Sequence, residues 1–295
     1  MRHASEVSPS VRVGSMRANI WIALIFVAVA SCSLGSAAQT SSQRQTAAAC
    51  AKPVYLTFDT GHMAVAPLIA DVLKRHEVKV TFFAANEPTK EGDGSLGQYW
   101  APWWRERALE GHAFASHTID HTYWRADLSD GQFQVRPSAG PRTGLTFTLN
   151  AQQYCAQIRA SNERLQLITG VAPLPLFRAP GGKTSPALLR AARGCGYAHV
   201  GWARAGFLGD ELPSDKFPNR VLLDQALRNI QTRDILMAHL GIWSRQDPWA
   251  PAVLEPLITG LKARGFCFAT LREHPQYTPW IATHDLASTG HTVNR

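Results

Sequence analysis

Two short stretches hold the residue types that hydrolytic chemistry needs. At 55–62 the chain reads YLTFDTGH, four strand formers, then Asp59, then a Thr-Gly-His corner; at 116–121 it reads SHTIDH, with His117 and His121 four residues apart. An aspartate ending a strand is a candidate base, although its commonest task is to cap a turn. Two histidines at this spacing share a face if one helical turn follows the strand, which suits a metal ion, whereas an unaided HxxxH is more often incidental. Farther on, Arg178 precedes Ala-Pro-Gly-Gly and His239 closes an apolar run. Taken singly these read as a surface ion pair and a hydrogen-bonded core histidine.

The elements that must position them alternate in type. Strand-like runs fall at 53–58, 78–84, 113–117, 174–179, 198–202, 234–239 and 266–271, and helical patterns at 65–76, 101–110, 151–169, 185–194, 220–231 and 251–264. Repeated βα units with nearly continuous apolar strands imply a parallel sheet covered by helices, and seven strands favour an open or distorted barrel over a doubly wound sheet. In such a barrel the C-terminal strand ends share one face, where active sites are built. Asp59, His117, His121, Arg178 and His239 all sit at those ends. The interval 122–148 is rich in turn formers without clear period, so it reads as a long loop over one face that shapes substrate choice.

Order and spacing then change the weight of each signal. TFDTG at 57–61, SHTIDH at 116–121, FRAPGG at 177–182 and LMAHL at 236–240 resemble the first, second, third and fifth motifs of the NodB-like polysaccharide deacetylases, carbohydrate esterase family 4, over about residues 52–272. The resemblance implies an α/β fold, a distorted (β/α)7 barrel, and hydrolysis of the acetamido group of an amino sugar. By position it implies Asp59 as base, His117 and His121 as metal ligands, Arg178 as the residue that orients and tunes the base, and His239 as acid. Amide hydrolysis needs an activated water, a cation to polarise the carbonyl and a proton for the departing amine, and this set can supply them. Pro180 and Gly181, with Gly182, would let backbone approach the substrate.

Position 60 departs from the pattern. Most members of that family carry a second aspartate there to complete an Asp-His-His metal site, and this chain has Thr60. A neutral hydroxyl is a poor ligand for zinc, the first choice of divalent metal. The metal is then held by the two histidines and waters, or by a substitute such as His62 or Asp120, or it has been lost. His62 is taken as a speculative third ligand, with a turn or subsite role as its plainer reading. The fourth family motif is indistinct; Trp202 ends the fifth strand and Asp210 stands as a possible support for His239. Flat aromatic rings suit sugars, and of the tryptophans at 100, 103, 104, 124, 243 and 249 the substrate-binding choices are Trp124 and Trp243.

The boundaries of the chain fit an exported protein. The 295 residues, 45% hydrophobic and 18% charged, suit one large domain or two small ones. Arg12 and Arg17 precede eleven apolar residues, Ile20–Ala30, too few for a bilayer that needs roughly 20, so an export signal is expected over 1–38, with Met16 as an alternative start. Cleavage after Ser36-Ala37-Ala38 competes with a lipobox at Val29-Ala30-Ser31-Cys32, which would acylate Cys32. A linker over 39–50, a catalytic domain over 51–273 and a C-terminal tail over 274–295 complete the expected organisation. Loss of the signal removes three Arg and one Glu and leaves a net charge of +6 from +8. That favours an anionic or wall polymer, but the cations are scattered with no run of the kind nucleic acid requires. Cys50, Cys155, Cys195 and Cys267 admit three disulfide connectivities, or Cys155 and Cys267 as buried thiols.

The expected function is a periplasmic or secreted carbohydrate N-deacetylase acting on peptidoglycan or another GlcNAc-containing polymer. Two readings compete with it: an amidase or deformylase on a small or lipid-linked substrate, and a carbohydrate-binding protein whose catalysis went with the metal aspartate. Oligomeric state is not legible.

Overall fold

The computed structural model describes residues 50–243, 245 and 247–285. The export signal, Cys32 and nearly all of the expected linker lie outside them. Among the described residues no helix is long and apolar enough to cross a membrane.

Seven strands form the parallel sheet, as the pattern predicts: β1 (Pro53–Asp59), β2 (Thr81–Ala84), β3 (Ala113–Ser116), β7 (Leu176–Phe177), β8 (Ala198–His199), β9 (Ile235–His239) and β10 (Cys267–Phe268). β1 is buried from Val54 to Asp59, which is why it reads as a continuous apolar run rather than an alternating one. It pairs with β2 and, along Tyr55–Asp59, with β9, while β10 joins only its first two residues. β3 pairs with β2 and with β7, and β7 with β8. From β8 to β9 an irregular segment replaces direct pairing: Ala203 N donates to Ile235 O and Leu208 N to Met237 O, beside an isolated bridge between Phe207 and Met237. The result is the distorted barrel expected from the βα alternation.

Helices α1 (Ala66–Arg75), α2 (Ala101–Leu109), α3 (Ala151–Thr169), α4 (Pro186–Gly194), α5 (Asn219–Asn229) and α6 (Leu254–Ala263) follow the predicted spans within three residues at either end. α3 matches its predicted span because both ends are written locally. Asn150 accepts from Gln153 N in a capping box, and Gly170 closes the helix at φ 72°. The apolar faces of α1, α2 and α6 meet Leu56, Phe58, Phe82 and Leu236 in the main core.

Three expectations change. The interval 122–148 is not a bare loop: β4 (Thr122–Asp127), β5 (Gln132–Pro137) and β6 (Phe147–Asn150) form an antiparallel sheet. Phe133 and Val135 alternate inward and pack with Tyr154, Ile158 and Leu188, a period of two masked by the turn formers around it. The packed region also continues past 273, because α7 (Thr278–His284) docks Tyr277 and Ile281 against Tyr55, Leu176 and Leu271. Finally, the four cysteines among the described residues are paired, Cys50 with Cys267 and Cys155 with Cys195, so the buried-thiol reading falls. The first bridge spans 217 residues and ties the start of β1 to β10. Replacing Cys50 and Cys267 by serine is expected to cost about 2–5 kcal/mol, read as a lowered midpoint of urea unfolding.

Candidate active site

The strand ends deliver their side chains to one place. Asp59 ends β1 directly beside His239, which ends β9; the two are register partners. Arg178 follows β7, and its backbone N donates to Ser116 O at the end of β3, one residue before His117. Asp59, His117, His121 and His239 line a cleft of about 180 Å³, walled by Tyr123, Trp202, Glu87 and Glu211.

Asp59 is 3% exposed. Burial works against its charge, but Arg178, His117 and His239 outweigh that cost and hold its carboxyl below the usual carboxylate range. The main partner is the fully buried Arg178, whose Nη1 donates to Asp59 Oδ1 at 2.7 Å and to Thr57 Oγ1 at 2.9 Å. Its Nε donates to Val200 O, and its guanidinium lies 4.1 Å from the Phe83 ring centre. Arg178 is therefore a clamp on Asp59 and not a surface ion pair.

His239 has the opposite bias. Burial alone would lower its pKa, yet Asp210, with help from Asp59 and Glu211, pushes it up to about 9. Asp210 Oδ2 accepts from the His239 backbone N at 2.6 Å, and both carboxylate oxygens stand 3.2 Å from Nδ1. The support expected of Asp210 is thus in place, and Nε2 is left facing the cleft and Glu211 Oε2, 3.9 Å away. These opposite shifts favour an ionised carboxylate beside a protonated imidazole near neutral pH, which is the pairing that base and acid roles require.

His117 and His121 meet with ring centres 4.8 Å apart, but no helical turn brings them together. Thr118 (φ 61°) and His121 (φ 47°) are both left-handed, His121 N bonds back to Thr118 O, and Thr122 N donates to Thr118 Oγ1. Gln157 on α3 latches this turn through Asp120, so Asp120 is occupied there and does not replace the missing aspartate. Burial lowers the His117 pKa to about 4, so the ring is neutral near pH 7.

His62 is not brought to the pair. Its Nδ1 accepts from Ala64 N, and its ring centre lies 4.3 Å from that of Trp243, beside Gly241. The corner is tight: Gly61 has φ 143°, and a Cβ there would strike Gly241 O. Trp243 is 62% exposed and lines a neighbouring recess that shares Glu87, Ser138 and Ile242 with the cleft. Trp124 packs on the β4–β6 sheet, donates to Asp127 Oδ1, and does not line the cleft. Trp100, Trp103, Trp104 and Trp249 are core. Gly181 reaches the cleft edge against Tyr123, while Pro180 is buried behind it. Tyr123 and Trp202 are cleft aromatics that sequence reasoning did not choose; the signal available was their position, one directly after the histidine turn and the other at the fifth strand end.

Whether these groups suit a divalent cation can be judged from their lone pairs. His117 Nδ1 lies 2.9 Å from Arg178 O, and a carbonyl only accepts, so Nδ1 carries the hydrogen and Nε2 the lone pair. That lone pair faces Asp59 Oδ2 at 3.5 Å, acceptor against acceptor, a gap that a positive centre relieves. His121 Nδ1 bonds Ser138 Oγ at 2.5 Å, and Glu87 Oε1 stands 3.8 Å from the same nitrogen. Among the described residues no three His, Cys, Asp or Glu side chains already surround one point as a ligand group. The donor chemistry of two imidazoles with a carboxylate nearby nevertheless suits a divalent cation.

Comparison with known proteins agrees with the motifs. A family model described as polysaccharide deacetylase matches residues 46–200. A chitooligosaccharide deacetylase of Azorhizobium caulinodans is 26% identical over 250 residues, 81% of this chain and 98% of that protein. The peptidoglycan-N-acetylmuramic acid deacetylase PdaA of Bacillus subtilis is 26% identical over 221 residues, 75% of this chain and 70% of that one. Among solved structures, a family 4 acetyl xylan esterase from Clostridium thermocellum, in complex with a cobalt ion, shares the fold with a TM-score of 0.57 at 22% identity, covering 77% of this chain and 91% of that chain.

Proposed function

This chain belongs to the polysaccharide deacetylase family and is a carbohydrate deacetylase, and from that premise we propose that it removes N-acetyl groups from the amino sugars of peptidoglycan or another GlcNAc-containing polymer. The observation that carries the reading is Asp59 and His239 held as register partners in one cleft, the first bonded by Arg178, which lowers its pKa, and the second by Asp210, which raises its pKa to about 9. Asp59 accepts a proton from the attacking water, and Arg178 keeps it ionised to do so. His239 delivers its Nε2 proton to the leaving amine nitrogen, with Asp210 holding the ring and supporting its charge. A divalent cation at His117 and His121, zinc by first choice, would polarise the acyl carbonyl and stabilise the oxyanion. Tyr123 and Trp202 offer the sugar ring flat faces inside the cleft, and Trp243 offers another beyond it.

Two disulfides favour an oxidising compartment, and a peptidoglycan substrate of the kind named for the PdaA relative would be met outside the cytoplasm; both support reading the protein as exported. The test is acetate release from peptidoglycan and from chitooligosaccharides, set beside small acetamides and formamides. Turnover confined to the small amides, or saccharide binding without acetate, would overturn the reading. The pH profile adds a signature. With the acid's pKa near 9, activity is expected to hold to about pH 9 and fall above it, and in Asp210→Asn the alkaline limb moves to lower pH because burial then dominates. The stability from protonated His239 follows the same sign: complete below its ordinary pKa of 6.5 and lost as pH rises through about 9.

A further inference from the structure

Thr60 occupies the place where the family resemblance puts a carboxylate, and its hydroxyl is fully committed to other groups. It is wholly buried, accepts from Ala85 N at 3.0 Å and donates its only hydrogen to Glu87 Oε2 at 2.6 Å. A hydroxyl so engaged is a poor ligand, but it is a good anchor for an acid. Glu87 is held at the backbone as well: its N donates to Ser95 Oγ, its O accepts from Ser95 N, and Ser95 Oγ donates to Ala85 O. The carboxylate is thereby fixed in the cleft with its second oxygen 3.8 Å from His121 Nδ1. Nearby, the His117 lone pair and Asp59 Oδ2 face each other with no hydrogen of their own between them.

We propose that Glu87, carried by the loop after β2 and braced by Thr60, supplies the carboxylate of a cation centre completed by His117 and His121. The negative charge has moved from the end of β1 to the neighbouring strand end, and Thr60 has changed from ligand position to ligand support. A set of two imidazoles and one carboxylate suits zinc or cobalt and leaves a position open for water or substrate. This inference rests on the cation-assisted form of the deacetylase reading.

The experiment is titration of the metal-stripped, purified full chain with Co²⁺, followed by calorimetry and by visible absorption, which reports ligand number and geometry. Acetate release is assayed in the same samples. The wild type is expected to bind one Co²⁺, and Glu87→Gln to weaken binding by at least about tenfold. In the Glu87→Gln background, Thr60→Asp should restore most of the affinity by returning a carboxylate to β1. Should Glu87→Gln not fold, Glu87→Asp keeps the charge but withdraws it by one methylene, and a changed cobalt spectrum is expected. Wild-type affinity in Glu87→Gln, or an unchanged spectrum in Glu87→Asp, overturns the assignment, while wild-type acetate release in those samples leaves the deacetylase reading standing. A wild type that binds no Co²⁺ yet releases acetate removes both the cation and the role of Glu87.

Discussion

Asp59→Asn is expected to lower acetate release from the polymer by about 10²–10⁴-fold, the range a positioned general base contributes, with little change in KM. The amide preserves shape but has no proton affinity at neutral pH, so the water loses its base while the cleft keeps its walls. The variant also separates base from ligand. If Asp59 acts only on water, Co²⁺ affinity survives the substitution; if affinity falls as far as acetate release does, Asp59 is a ligand and the base must be sought elsewhere. Unchanged turnover in Asp59→Asn would end the mechanism outright.

Arg178→Met carries the largest expected cost in stability, about 3–5 kcal/mol, because it leaves the carboxylate of Asp59 buried without its partner. Methionine fills much of the same space over Phe83, so the loss is chiefly electrostatic. The sign in pH is fixed by the direction of the Asp59 shift. Arg178 lowers the folded pKa, so its contribution is present above the ordinary carboxylate range and is lost as pH falls through the lowered folded value. Without Arg178, burial dominates and the pKa of Asp59 rises. The acid limb of the acetate-release profile therefore moves to higher pH in Arg178→Met. The deficit in urea unfolding free energy should shrink between pH 7 and pH 5 as the stranded carboxylate takes up a proton. A deficit independent of pH would mean that Arg178 acts through packing alone.

The two predictions draw on the part of the site that lies closest to the strands, and that part was legible in the sequence. A strand buried on both faces announces itself as an apolar run, and the polar residue that ends it stands at the barrel mouth wherever the run is found. Asp59, Arg178 and His239 are of this kind, and α3 shows the same locality in its cap and its closing glycine. His117 and His121 were legible as a pair, but not by the right geometry. Two left-handed residues, Thr118 and His121, make the turn, and such conformations are chosen by surrounding hydrogen bonds, here from Gln157, more than by residue type.

What lies farther from the strands was written in contacts between distant segments. The β4–β6 sheet is short, and its alternating Phe133 and Val135 acquire meaning only when α3 and α4 supply the surface they bury against. α7 likewise becomes part of the domain through Tyr277 and Ile281 reaching the far core. Four cysteines allow three pairings, and only proximity selects among them.

By itself, then, the sequence determined the βα alternation, the seven strands and the polar residues Asp59, Arg178 and His239 at their ends, because burial and periodicity act within each segment; the roles proposed for those residues came from the resemblance of their motifs. The tertiary structure decided which side chains meet across segments: it withdrew His62 to Trp243, placed Asp210 behind His239, and set Glu87 on the hydroxyl of Thr60. Those choices depend on loops whose course is set by packing against the finished barrel, and no local pattern of residues encodes the distance between two loops.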